Sequence, residues 1–215
     1  MREIKKMDIS KLHAKLRELE TRNWDRKAIE NRCSRLMENG IPAKTLSRDL
    51  LTSNKEDTLD RVQRRGEEYN YLLGNCARST ALAVMEEFGL GSMETMKALG
   101  PLPACGGTGW MCGGVTGGLV ALGLYGCSDN LLDQENMGRA MASAQRFMAR
   151  FEAECGAVTC RKIHEDVVFG RYMDPGASPE NMKAFERAKG FEKCSLLPGI
   201  GARIAAEIII ETMPS

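Results

Sequence analysis

The sequence lacks most of the short motifs by which metal and redox proteins announce themselves. It has no Cys-x-x-Cys pair, no Cys-x-x-Cys-His for covalent haem, and only two histidines, His13 and His164. Classical zinc-finger spacing, thioredoxin-type redox chemistry and c-type haem attachment are therefore disfavoured. Charge of one sign is also missing. The formal net charge is +1, which excludes a global field that would gather nucleic acid or an anionic membrane. No apolar run suffices for a membrane span: the longest uncharged stretch, residues 98–128, is broken by Pro101, Pro103 and many glycines. MREIKKMDIS is basic, but no apolar segment follows it, so a cytoplasmic location is expected.

Cysteine, by contrast, is plentiful. Eight cysteines occur in 215 residues. In a cytoplasmic chain they do not suggest a disulfide framework, which moves metal binding and redox chemistry up the list. The short spacings are Cys105-x6-Cys112 and Cys155-x4-Cys160, neither of them a zinc-finger spacing, so any metal site must be assembled from distant segments.

Apolar residues recur at three- and four-residue steps along most of the chain, and strand-like alternation is scarce. The expected fold class is all-α, a bundle-like helical body with a helical N-terminal extension. Helices are predicted from Asp8, from Asp25 to Asn39, from Lys55 to Leu73, from Cys76 to a stop at Gly89, over 133–154 and in the last stretch LLPGIGARIAAEIIIE. Met137, Met141, Ala144, Phe147, Met148 and Phe151 are expected on the inward face of the 133–154 helix. Charge divides the chain. Residues 1–65 hold 17 Lys+Arg against 11 Asp+Glu, and residues 66–215 hold 13 against 18. This suggests a basic extension over 1–65, suited to docking or dimerisation, and a cysteine-rich redox domain over 66–215.

Cys76, Cys112, Cys160 and Cys194 each stand at or just before a predicted helix start, separated by 36, 48 and 34 residues. Free N–H groups and the helix dipole favour negative charge at such a position, so lowered thiol pKa values and ready thiolate ligands are expected there. The loop ACGGTGWMCGGVTGG, with seven glycines and no charge, lets backbone approach a bound group closely. Cys105, Cys155 and His164, one helical turn beyond Cys160, are weaker ligand candidates.

These residues resemble a family of redox-active proteins named for the pattern Cys … Cys-Gly-Ala-x-x-Gly … Cys … Cys. The resemblance rests on NCARSTALAVMEEFGL, CGGVTGGLVALGL, AVTCRKI and Cys194 before the last helix, and runs from about residue 70 to 212. The family is related to the cluster-bearing body of split-Soret cytochromes. The resemblance implies an iron–sulfur cluster, [2Fe–2S] or [4Fe–4S], ligated by Cys76, Cys112, Cys160 and Cys194. It also implies electron transfer with a redox partner protein, a homodimer, and Gly113 and Gly114 close to the cofactor. Gly114 stands where the family usually has Ala, a small-for-small change expected to keep the close packing. Cys105, Cys127 and Cys155 are additional to the four.

Two readings compete with the cluster: a structural zinc site on the same thiolates, and a thiol–disulfide oxidoreductase. A helix–hairpin–helix DNA element at Gly199-Ile200-Gly201 is disfavoured, because only Arg203 accompanies it in an acidic, apolar setting.

Overall fold

The computed structural model describes residues 8–214; residues 1–7, part of the stretch read for a targeting signal, and Ser215 lie outside the described residues. The fold is all-α, as expected. Its elements are α1 (Ile9–Thr21), α2 (Arg26–Asn39), α3 (Arg48–Ser53), α4 (Lys55–Leu73), α5 (Cys76–Phe88), α6 (Met93–Ala98), a single turn α7 (Ala104–Gly107), α8 (Gly113–Gly126) and α9 (Gln134–Cys155). There follow α10 (Cys160–Ile163), a π-turn (His164–Val168), α11 (Pro179–Arg187), α12 (Gly190–Cys194) and α13 (Leu196–Thr212). Among the described residues the only extended pairing is one antiparallel bridge, Met111 with Thr159. No helix among them is long and apolar enough to cross a membrane.

Local chemistry sets the helix ends. Asp8, Asp25, Asn75 and Asp133 each accept a hydrogen bond from a backbone N–H in the first turn of their helix. Gly74, Gly89 and Gly156 close α4, α5 and α9 in the left-handed conformation.

The apolar α13 packs against α4, α5 and α8, and α9 closes over α8 and α13. Backbones meet directly in this centre. A Cβ on Gly114 would stand 2.7 Å from the Leu197 carbonyl oxygen, and one on Gly201 would strike the Gly114 carbonyl. Gly114, where the family usually has Ala, keeps the close packing as expected, and a methyl there would force α8 and α13 to shift apart. Phe147 fills the notch left by Gly118 and, with Phe151, is fully buried. Met137 and Met141 depart from expectation. They are 53% and 54% exposed, because the first half of α9 extends past the bundle and only its second half lies on the core.

The boundary expected near residue 65 falls inside α4. Leu12, Leu16, Leu19, Ile29 and Leu36 from the front segment share one continuous core with Phe88, Phe151 and Ile208 of the body. Glu67, 1% exposed, forms ion pairs with Lys15 and Arg22 of the front segment.

Candidate functional site: a thiol-lined cavity

Cys76 is the first residue of α5, just after its cap Asn75. The Asn75 side chain accepts from Arg78 N and donates to the Gly100 carbonyl, which ties the following loop to the start of α5. Cys112 is the N-cap of α8. Three backbone hydrogen bonds, Cys112 N to Val158 O, Cys160 N to Trp110 O and Arg161 N to Gly109 O, zip the segment before Cys112 to the segment containing Cys160. Cys160 in turn opens α10. Cys194 closes α12 and directly precedes Ser195, the cap residue of α13, so it stands just before a helix start, as expected. Its position is fixed from behind by two buried polar groups. Asn70 of α4 donates to Ser195 Oγ and to the Phe191 carbonyl, and Ser195 Oγ donates to the same carbonyl.

Cys76, Cys160 and Cys194, from three separate elements, line one cavity of about 440 Å³. His164, Tyr172, Phe185 and Phe191 form much of its apolar wall, and Ala104, Gly106 and Gly107 cover it. Ala104, Cys105, Gly106 and Gly107 all have positive φ. For Ala104 and Cys105 this left-handed conformation costs about 1–2 kcal/mol each, a strain of the kind that collects at functional sites. Cys112 does not line the cavity. It is buried directly behind, with Cys155 at the end of α9 near it. Cys105 is exposed, its sulfur turned to the Met111 carbonyl. Cys127 is exposed at the far end of α8, and Cys33 is buried in α2.

The electrostatics reverse one expectation. Helix starts were expected to lower the thiol pKa values; burial raises them instead. Cys76 is pushed up to about 11 and Cys160 to about 12, while Cys112 and Cys194 rise well above the ordinary range. Desolvation is the largest cause for all four, and their mutual repulsion adds to it. Cys112 is raised by Cys76 and Cys160, Cys160 by Cys76, and Cys194 by Cys160 and Cys76. Backbone N–H groups work in the other direction. Those of Gly113, Cys76, Ala77 and Ala104 favour a Cys76 thiolate, and that of Gly114 a Cys112 thiolate. They do not offset the loss of water, whose effect reaches several pKa units for a fully buried group. Without a cation beside them these groups are neutral thiols.

Gly113 and Gly114 face different neighbours. Gly113 lies against the Cys76 sulfur and the Ala77 nitrogen, Gly114 against Leu197 and Phe151. His164, 4% exposed, begins the π-turn, and its Nε2 sits 3.4 Å from Cys194 Sγ and 3.6 Å from Cys160 Sγ. Burial pushes the imidazole down to about 4, so it is neutral at physiological pH.

The aromatic wall was not read from the sequence. A signal existed: of six phenylalanines, Phe169, Phe185 and Phe191 fall within one short segment after His164, in a chain only 6% aromatic. Asn70 and Ser195 carried no signal, because polar residues in helical stretches look like surface until a partner packs on them.

Among the described residues no three His, Cys, Asp or Glu side chains are disposed around one point that could hold a single metal ion. The thiols stand around a space instead. An all-helical body that gathers thiols from separate elements at one buried cavity defines a class of cysteine-rich redox-active proteins. Within that class the chain belongs to the family described as "Putative redox-active protein (C_GCAxxG_C_C)", whose model matches residues 74–208. No curated protein and no solved structure matches the chain.

Proposed function

We propose that the protein is an electron carrier that holds an iron–sulfur cluster, [2Fe–2S] or [4Fe–4S], on Cys76, Cys112, Cys160 and Cys194. The observation that carries this reading is the meeting of Cys76, Cys160 and Cys194 at one cavity, with Cys112 buried close enough that Cys76 and Cys160 disfavour its thiolate. The donor set suits such a group. Thiolates are the usual ligands of these clusters, and bound iron supplies the positive charge that four buried sulfurs need in order to deprotonate. The cluster supplies one-electron chemistry. The protein supplies anchoring sulfurs, N–H donors from Gly113, Ala77 and Gly114 that offset negative charge, and an aromatic wall that excludes water.

A structural zinc site on the same thiolates is the alternative that metal analysis separates from the cluster. Thiol–disulfide exchange needs a ready thiolate, whereas the thiols of Cys76 and Cys160, half-buried at the cavity, are shifted upward. We further assign the protein to the cytoplasm as a homodimer that docks a redox partner protein. Light scattering of the purified protein tests the dimer.

Iron and acid-labile sulfide analysis of anaerobically purified protein, with electron paramagnetic resonance after reduction, tests the cluster. Equimolar iron and sulfide with a brown colour is the expected result. Changing any one of the four ligands to Ser lowers bound iron sharply, while Cys33→Ser and Cys127→Ser leave it unchanged. Colourless protein carrying zinc and no sulfide, or equal iron loss across all eight cysteines, would sink the reading.

A further inference from the structure

The loop between α8 and α9 forms a stiff tip. Asn136 of α9 accepts from Ser128 N and donates to the Gly126 carbonyl, both at 2.7 Å, and Asn130 Oδ1 accepts from Leu132 N at 3.1 Å. On this fixed backbone Leu131 and Leu132 stand in solvent, 90% and 84% exposed. Leu124, Met137 and Met141 of the same hairpin are exposed as well. Five of the nine large apolar side chains left uncovered among the described residues therefore fall within residues 124–141. Single exposed apolar residues are ordinary, but such a concentration marks an interaction surface.

The root of the hairpin has the complementary shape and charge. A cavity of about 390 Å³ lies between the end of α8, the first half of α9 and the end of α13. Leu122 and Ile208 give it an apolar lining, the small Ala140 and Ala142 leave it open, and Arg139 and Arg146 stand along it. Each arginine has one carboxylate, Glu135 for Arg139 and Glu211 for Arg146. The Nε of Arg146 is nevertheless buried without an acceptor, an omission that costs about 1–3 kcal/mol in the isolated chain. The tip offers what the root lacks: two apolar side chains and the exposed carboxylate of Asp129. No chain can seat its own tip in its own root, because the straight helix from Gln134 to Ala142 holds them about 12 Å apart.

We propose that two copies of this chain associate through this hairpin, the Leu131–Leu132 tip of each seated in the root cavity of the other, with Asp129 facing Arg139 and Arg146. Two hairpins laid antiparallel make both contacts at once, so the arrangement has two-fold symmetry and closes at the dimer. The tip is already ordered, which lowers the entropy lost on association. The inference rests on the homodimer reading above and adds its surface. It also has a functional consequence. Cys112 caps the opposite end of α8, about 20 Å from the root cavity, so the two cysteine centres lie away from the interface and each stays open to a redox partner.

Sedimentation velocity of the full-length protein tests this. Wild type is expected to run as a dimer. Leu131→Lys/Leu132→Lys disables the tip and Ala142→Glu blocks the root. All three positions are exposed, so the fold, checked by circular dichroism, is expected to persist. Each variant alone should dimerise about a hundredfold more weakly. Mixed together they should re-form dimers: the intact tip of the root variant meets the intact root of the tip variant, and the lysine tip meets the glutamate root. Met37→Lys, at an exposed methionine of α2, should leave the dimer unchanged. Dimers that persist in both variants overturn the proposal and leave the homodimer reading standing. Variants that dissociate but do not pair when mixed overturn the exchange of tips. A wild-type monomer at every concentration overturns both the surface and the homodimer.

Discussion

Gly113 lies so close to Cys76 that a methyl group on its Cα would collide with the Cys76 sulfur and stand 2.6 Å from the Ala77 nitrogen. The start of α8 is thus shaped around a thiol of α5. Gly113→Ala is expected to drive the Cys76 sulfur out of place, cost about 1–3 kcal/mol of stability as overpacking does, and lower the bound iron with helix content unchanged. Gly123→Ala in the same helix is the control. Only Cys127 Sγ, at 3.9 Å, approaches its Cβ, so it should be neutral or stabilise by about 0.5–1 kcal/mol. Thermal unfolding by circular dichroism together with iron analysis checks both.

The contrast between these two glycines shows what the sequence could and could not reveal. Helix spans were legible because caps and apolar periodicity are local: Asp25, Asn75, Gly74 and Gly89 mark their ends in plain text. The inward positions of Phe147 and Phe151 followed from the same periodicity. It failed at Met137 and Met141, because a helix carries its apolar stripe past the point where its partner ends. Helix starts and family resemblance singled out Cys76, Cys160 and Cys194, which line one cavity, but their electrostatics were not legible. A helix start favours thiolate only while water remains, and Cys112 and Cys194 are raised because tertiary packing removed it. The role of Gly114 was hidden for a similar reason: the Leu197 carbonyl that excludes a methyl there lies more than 80 residues away.

The contact between α8 and α13 carries a second prediction. A Cβ on Gly201 would meet the Gly114 carbonyl oxygen, and backbone, unlike a flexible side chain, cannot swing aside. Gly201→Ala is expected to cost about 1–3 kcal/mol despite its better helix propensity. Gly114→Ala should behave alike, and the double variant should cost less than the sum, because one separation of the two helices relieves both clashes. Urea midpoints of the four proteins test this; strict additivity would count against the shared contact.

Glu87 supplies a pH dependence. Burial alone would raise its carboxyl pKa, but hydrogen bonds from Arg61 and the charges of Arg61, Lys44 and Arg65 outweigh burial and hold it below the ordinary value. A carboxyl with a lowered folded-state pKa contributes stability above its unfolded value and loses it as pH falls through the folded one. The protein should therefore lose stability on acidification below the usual glutamate range. Glu87→Gln should cost about 1–3 kcal/mol at pH 7, and the gap to wild type should close at low pH. Chemical denaturation across pH 3–7 measures it, and a constant gap would contradict the assignment.

The front segment and the body are expected to unfold as one. The buried Glu67 of α4 accepts from Lys15 at 3.1 Å and from Arg22 at 2.7 Å, and the Arg22 guanidinium lies over Trp24, which stacks on Tyr71 of α4 at 4.6 Å. Removing Arg22 weakens the compensation of a carboxylate that is out of water, and Arg22→Ala should cost about 2 kcal/mol, with Lys15 keeping the loss below that of a wholly unpaired buried charge. The two tryptophans divide the chain conveniently: Trp24 reports on the front segment and Trp110 on the loop before Cys112. In Trp24→Phe and Trp110→Phe, each left with a single indole, the fluorescence midpoints in urea should coincide with each other and with the loss of helix. Because the front segment shares its core with Phe88 and Ile208 of the body, loss of one part removes support from the other. An early transition at Trp24 with Trp110 still native would mean instead that residues 1–65 are a separate unit resting on the redox domain.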